Sequence, residues 1–379
     1  MNNLKIFNTV EEYQAWKDSD DYVYPNICKV GDEVIYNNYP DPFWIEALED
    51  VSVMYTHGTS TYAYYSYDKI TWIRFTASVI LRRGEKIYIK HKSDSSSSPY
   101  LEISGKYNVG GNILSLKKGS DYLIESKINN VRNLFSFGAT SVVSAKELIL
   151  AAAGSNEAYR GFFKNCSLLI DAPKIPKSVV TECYKEMFEN CTSLTKAPSL
   201  SILSSSGYGW YNSMFKDCTK LSYIKMMYDK DFNWSDTTAQ WSRYWVSNVA
   251  PTGIFVASSK RTDFARGPHS IPVGWDLYLY DEDNDRYVVK FSVNGIPYEF
   301  YTDEPRDVKW SEFINSEQNT NGYYEEDNFH TIYASNGVDR ILLNNEYVIT
   351  SDKIILNASY TIGQRTATTE VTETTNVEE

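Results

Sequence analysis

Five cysteines and four histidines are the residues of this chain best able to bind a metal or act as nucleophile and base. His57, His91, His269 and His330 lie far apart in sequence, which leaves no local His-based ligand spacing. Cys28, Cys166, Cys183, Cys191 and Cys218 are odd in number and form no C-x-x-C chelate, which argues against both a disulfide scaffold and a zinc site. The run Asp281-Glu-Asp-Asn-Asp285 sets acids at positions 1, 3 and 5 of a calcium loop. Arg286 stands where that loop requires glycine and Ser292 where it requires the bidentate glutamate, so a solvated turn is the better reading. The chain holds no phosphate loop, nucleophile elbow, zincin helix or dinucleotide fingerprint. With 49 acids, accidental carboxylate pairs are inevitable and single out no glycosidase pair. No catalytic residue, cofactor or metal is expected, and the chain reads as a non-enzyme.

Aromatic residues are the chemistry that remains, with 31 Tyr, 16 Phe and 9 Trp. Tyr62, Tyr64, Tyr65 and Tyr67, with Trp72 nearby, are the candidate ligand-contact aromatics. Alternate rings on one exposed strand face can stack a sugar, although cross-strand packing inside a sandwich gives the same pattern and is the simpler reading. Trp234, Trp241 and Trp245 read as a cap rather than a ligand shelf. A net charge of −12 makes nucleic acid and anionic membrane poor partners. The composition, 42% hydrophobic and 23% charged, is globular, and no apolar run approaches the ~20 residues of a membrane span. The opening residues lack the apolar core of a signal peptide, so Sec export is not expected and the thiols read as packing groups in a reducing compartment.

The elements that must position these residues fall into segments. Residues 1–40 read as a β/helix docking segment, with a helix over Thr9–Asp18 that opens on a T-x-x-E capping box. Residues 41–120 alternate as a β-sandwich-like module does. Residues 121–275 hold an internal repeat: Phe163-x-x-Cys166-x-x-Leu169 returns as Phe188-x-x-Cys191-x-x-Leu194 and as Phe215-x-x-Cys218-x-x-Leu221. Tyr159, Tyr184 and Tyr211 precede those Phe residues by four, and Phe162, Met187 and Met214 by one. The spacings of 25 and 27 fall within the roughly 20–29 residues of leucine-rich repeats. Tyr184-x-x-Met187-Phe188 predicts a short helix with one apolar face, and stacked units predict buried ladders of Phe and Cys. Residues 276–363 read as a second β module, and 364–379 as a polar tail without an apolar face. The expected class is a multi-domain, β-rich α+β protein in which antiparallel β modules flank a short leucine-rich-repeat (α/β solenoid) segment.

The strings Cys183-Tyr-Lys-Glu-Met-Phe-Glu-Asn-Cys-Thr-Ser-Leu-Thr-Lys-Ala-Pro198, Met214-Phe-Lys-Asp-Cys-Thr-Lys-Leu221 and Trp245–Val256 closely resemble the BspA-type leucine-rich repeats. Such repeats are frequent in surface proteins of gut Bacteroidales and in fibre-like virion proteins of the crAss-like phages that infect them. Ile6–Tyr13, Tyr24–Ile27 and Val34–Asn37 are similar to amino-terminal segments of those phage proteins, and Phe291–Tyr298 with Trp310–Ser316 and Asn319–Tyr323 resembles a β module near their ends. The chain departs from the family in having few units, a third unit without Ala-Pro, Trp210-Tyr211 in place of Cys-Tyr, and a degenerate start around Leu148–Leu150. The resemblance implies a structural virion surface protein, on head or tail, whose repeat contacts a host-surface protein or glycan. Its implied partners are other virion proteins and further copies of itself, with no nucleic acid and no membrane insertion. A bacterial cell-surface adhesin is the alternative, and a polysaccharide depolymerase a third.

Overall fold

The computed structural model describes residues 4–7, 27–30, 33–35, 41–56, 63–91, 99–118, 127–176, 180–202, 209–228, 242–260, 264–293, 296–317, 332–335, 340–343, 348–349 and 361–362. The expected helix over 9–18, Trp234, Trp241 and the tail 364–379 lie outside the described residues. The chain divides into two units, Met1–Ala257 with Phe264–Asp276, and Ser258–Asp263 with Leu277–Glu379. It is β-rich, with several separate sheets and two short helices among the described residues.

In the first unit, β1 (Leu4–Phe7), β2 (Ile27–Val30) and β3 (Glu33–Ile35) form a small mixed sheet. There follow β4 (Trp44–Ala47), β5 (Val51–Thr56), β6 (Ala63–Ser66), β7 (Ile73–Arg74), β8 (Val79–Leu81), β9 (Lys86–His91), β10 (Tyr100–Ser104) and β11 (Tyr107–Asn112). Beyond them lie β12 (Lys127–Ile128), β13 (Val142–Ile149) and β14 (Ala152–Ala153). One sheet runs β13-β11-β4-β9-β6-β7 and a second β10-β5-β8. The period of two is visible in β9, where Ile87, Ile89 and His91 are buried while Lys86, Tyr88 and Lys90 are half-buried. The rings of Tyr55 on β5, Phe75 and Tyr65 on β6 join the two sheets, at centroid separations of 6.2 Å and 4.9 Å. The buried faces close over Phe43, Ile45, Val53, Leu101 and Val109. Strand β11 then pairs in parallel with β13 and leads the sheet into the repeated region.

The repeated region is a stack of turns, not helices. Over 157–166, Arg160, Phe162, Lys164 and Cys166 donate their N–H groups to the carbonyls three residues back. The intervening residues Tyr159, Gly161, Phe163 and Asn165 donate instead to Cys183, Lys185, Met187 and Glu189 of the following layer, at 2.8–3.0 Å. The same alternation links 184–190 to 210–216, and 213–217 to 243–247. A left-handed residue recurs every fourth position, at Glu157, Gly161 and Asn165, at Glu182, Glu186 and Asn190, and at Gly209, Ser213 and Asp217. This corrects the expected helix over 184–188. An α-helix keeps its amides within one segment, whereas here every second amide is bonded to the neighbouring layer. The apolar i, i+3, i+4 spacing is kept because the same turn chain places Tyr184, Met187, Phe188 and Cys191 on its buried side. Asn and Asp at 165, 190 and 217 suit the left-handed conformation better than most residues.

One further layer extends the stack on its amino-terminal side. Val131, Asn133 and Phe135 donate to Ala158, Arg160 and Phe162, and Lys127–Ile128 pairs in parallel with Ala152–Ala153, so among the described residues the stack already includes 127–135, ahead of the degenerate start expected near 148–150. Opposite the turns lie parallel pairings: Ser144 with Asp171, Lys196 with Tyr223, β15 (Leu200–Ile202) with β16 (Tyr223–Tyr228), and β16 with β17 (Gly253–Ser258).

In the second unit, the part of β18 (Trp275–Asp281) from Leu277 onward, β19 (Arg286–Val293) and β20 (Ile296–Thr302) form an antiparallel meander. The short helix Trp310–Ile314 lays Phe313 edge-on against Phe291 and Tyr298, at 4.8 and 5.0 Å. Glu312 closes its first turn by accepting from the Lys309 amide and from both terminal nitrogens of Arg306.

The stack makes a quantitative demand on its rings. Phe188→Ala is expected to lower the unfolding free energy by about 3–5 kcal/mol. Phe137→Ala, at a position 68% exposed, should change it by no more than about 0.5 kcal/mol. Urea unfolding followed by circular dichroism measures both, and equal losses would contradict the ring stack as core.

Candidate functional site

The fourteen repeat residues Tyr159, Phe163, Cys166, Leu169, Tyr184, Met187, Phe188, Cys191, Leu194, Tyr211, Met214, Phe215, Cys218 and Leu221 all lie in the interior, none more than 3% exposed. Phe135, Phe163, Phe188 and Phe215 stack in one column with centroids 5.1, 5.5 and 5.5 Å apart and ring planes within 10°. Tyr159, Tyr184 and Tyr211 form a second column at 5.9 and 6.1 Å. The Tyr159 and Tyr184 hydroxyls escape an unpaired burial by donating to the carbonyls of Ala151 and Pro176. Phe43 meets one end of the Phe column at 6.3 Å from Phe135, and the fully buried Trp245 meets the other at 6.2 Å from Phe215.

The thiols form a third column with a defined protonation state. Cys191 Sγ donates to the Phe163 carbonyl at 3.1 Å, Cys218 Sγ to that of Phe188 at 3.0 Å, and Cys166 Sγ to that of Phe135 at 3.5 Å. Burial pushes the Cys166 and Cys191 thiols far above the usual range and that of Cys218 up to about 12. A buried, protonated thiol is a poor nucleophile, and each of these three acts as a hydrogen-bond donor to the layer before it. Among the described residues no three His, Cys, Asp or Glu side chains converge as a metal site.

The candidate aromatics divide between two faces. Tyr62 lies outside the described residues. Tyr65 points inward, 4.9 Å from Phe75, with Tyr67 edge-on at 5.9 Å and 51% exposed at the rim. Tyr64, one residue earlier, faces the other side of the sheet, opposite Lys90 and Arg74. On that side Lys90 Nζ lies 3.9 Å over the Trp72 ring, Lys86 Nζ 3.9 Å over Trp44, and Lys69 Nζ 5.1 Å over Tyr88. Among the described residues Tyr64 and Tyr65 therefore lie on opposite faces of the sheet, because successive strand residues alternate, and Trp72 is the candidate ring that has a lysine over it. Asp68, held near 2 by the amides of Thr71 and Ile70 and the Ser66 hydroxyl, fixes the turn that leads to Trp72.

The acidic run forms the hairpin turn between β18 and β19. Asp281 accepts from the Asp283 amide at 3.0 Å, from Asn284 at 2.9 Å and from the Tyr301 hydroxyl at 3.0 Å. Burial opposes its ionisation, but these donors outweigh it and hold the carboxyl below its ordinary range.

Outside the stack runs a ladder of ion pairs. Lys164, Glu189 and Lys216 occupy equivalent positions of successive layers, with Lys164–Glu189 at 2.7 Å and Lys216–Glu189 at 3.3 Å. Arg160 reaches Glu157 at 2.6 Å and Glu186 at 3.4 Å, and Lys164 also reaches Glu186 at 3.0 Å. Beside it Asn190 donates to Asn165 at 3.1 Å, and Asn248 to Asp217 at 2.7 Å. Arg132, Asn133, Ser136, Phe137, Arg160, Lys164, Asn165 and Glu186 enclose a hollow of about 260 Å³ over three layers. The sequence signal for the ladder is the alternation of charge sign at one repeat position. The first wall of the hollow carried no such signal, because Val131, Leu134, Phe135 and Gly138 match the repeat only at Phe135.

Comparison with protein-family models finds no match, and neither do comparisons with curated proteins and with solved structures.

The thiol column implies a pH dependence with a definite sign. The folded chain holds these thiols protonated, while the unfolded chain ionises them above about 8.5. Stability is therefore fully present below about pH 8.5 and declines as pH rises, by up to about 1.4 kcal/mol per unit for each thiol. Thermal unfolding between about pH 8 and about pH 10 should show this decline, and Cys218→Ala should flatten it. An unchanged slope would mean that Cys218 is not held as a buried donor.

Proposed function

We propose that this protein is a structural surface protein of a virion, on head or tail, that displays residues 121–275 as an adhesion module towards a host-surface protein or glycan. The observation that carries the reading is the stack, whose buried Phe, Tyr and Cys columns recur at the repeat spacing while rows of equivalent polar residues face outward. These features support reading the segment as a short BspA-type leucine-rich-repeat solenoid in which linked turns replace the helices. A solenoid needs covered ends; Phe43 of the β-sandwich-like module and Trp245 supply covers to the Phe column. The virion assignment is supported by the resemblance of the repeat and of both flanks to fibre-like proteins of crAss-like phages. Other virion proteins and further copies of the chain are the proposed partners, and repetition over many copies would turn a weak contact into avid attachment.

Immunogold electron microscopy with an antibody to the whole chain tests the location. Label on phage particles is expected. Label confined to the envelope of uninfected host cells would overturn the virion reading and make the protein a bacterial adhesin. Incubation with host-surface polysaccharide is expected to leave the reducing-end content unchanged; its release would make the protein a depolymerase.

A further inference from the structure

We infer that the hollow formed by Phe137, Asn133, Asn165, Arg160, Lys164 and Glu186 is a binding site for one neutral sugar unit of a glycan. The inference names a ligand class for the proposed adhesion module and rests on that reading for its biological setting. The physical argument starts from charge. Arg132 is paired with Glu157 at 2.6 Å, Arg160 with Glu157 at 2.6 Å and Glu186 at 3.4 Å, and Lys164 with Glu186 at 3.0 Å and Glu189 at 2.7 Å. Three cations thus face three carboxylates. Glu186 lines the hollow, while Glu157 and Glu189 pair with its cations from outside the lining. An anionic ligand would have to compete with carboxylates already in place, so the hollow offers fixed donors and acceptors whose cations are each already paired.

That arrangement suits vicinal hydroxyls, each of which both donates and accepts. Glu186 accepts, while Arg160 and Lys164 donate within hydrogen-bonding reach of the same carboxylate. The Asn165 carbonyl oxygen accepts from Asn190, which directs the remaining capacity of that amide into donation. Burial disfavours the charge on Glu186, yet Lys164 and Arg160 outweigh it and keep the carboxyl below its usual range, so it remains an acceptor at neutral pH.

The apolar side of the site is Phe137, 68% exposed beside these polar groups. An aromatic ring placed next to paired hydrogen-bonding groups can cover the C–H face of a pyranose while the opposite edge is hydrogen-bonded. Gly161 contributes by its missing side chain: at φ 60° a Cβ there would stand 2.2 Å from Asn133 Oδ1. The volume of about 260 Å³ lies below the roughly 300–1,000 Å³ of pockets for drug-sized ligands, which fits a single sugar unit.

Saturation-transfer-difference NMR on the full-length chain with the neutral methyl glycosides of galactose, glucose, mannose, fucose and N-acetylglucosamine tests the site. At least one glycoside is expected to receive saturation transfer and to bind about tenfold more weakly to Phe137→Ala, a loss of about 1.4 kcal/mol. Because Phe137 is exposed, that variant should keep the wild-type unfolding midpoint; Glu186→Gln provides a second variant, with loss of binding expected at unchanged circular dichroism. Absence of transfer from all five sugars would overturn the site, as would transfer that survives Phe137→Ala or that is lost in Trp72→Ala instead. Displacement of the sugar by inorganic sulfate at equal concentration would also overturn it, since it would mean that the cations are free to bind anions. None of these failures touches the virion reading, which stands or falls on the location of the chain.

Discussion

The rest of the repeated region depends on a division of backbone hydrogen bonds. Half of the amides in each turn layer close i→i+3 turns, and the other half reach the carbonyls of the following layer. A layer by itself would leave every second amide without a protein partner, and a buried amide in that state is costly. No layer is therefore stable alone, and the stack must form as a set. This is the cooperative logic of repeat architectures, expressed here through turns whose left-handed residues fall every four positions.

The side chains follow from that constraint. Layers held together by backbone bonds leave their rings parallel at separations of 5.1 to 5.5 Å, within stacking range. The same spacing brings each thiol under the phenylalanine carbonyl of the preceding layer, so the cysteine adds a second donor to the Phe163 and Phe188 carbonyls, which already accept the amides of Cys166 and Cys191. Outside, equivalent positions stand close enough for opposite charges to pair across layers, as Lys164, Glu189 and Lys216 do. Exposed pairs of this kind add little stability individually. Their larger effect is to fix long side chains in place and to leave the surface of the stack rich in paired donors and acceptors.

The β-sandwich-like module shows the opposite economy. Its core is set by period-two alternation, and its outer face is closed by lysines lying over Trp44, Tyr88 and Trp72. Of the rings that looked most available for a ligand, Trp72 lies under Lys90, Tyr65 packs against Phe75, and Tyr67 stays exposed at the rim. Phe137, which stood out by no pattern, is left 68% exposed at the edge of the stack.

Much of this was legible in the residues themselves. The recurrence of Tyr, Phe, Cys and Leu at spacings of 25 and 27 determined which side chains are buried and in what columns, because burial of one unit's apolar face requires an equivalent neighbour. The alternating strands within residues 41–120 were legible from the sequence because a half-buried strand sends successive side chains to opposite faces. Whether each unit would be a helix or a chain of turns was decided only in three dimensions, since an i, i+3, i+4 apolar pattern serves both and the choice rests on amides bonded to residues about 25 positions away. The layer at 131–138 was likewise hidden, because it keeps the backbone bonding of the other layers while sharing only Phe135 of their side-chain pattern. Which of two adjacent tyrosines points inward, and which charges gather around Phe137, depends on strand register and on stacking across three layers. Those are contacts between segments distant in the chain, and one-dimensional spacing carries no record of them.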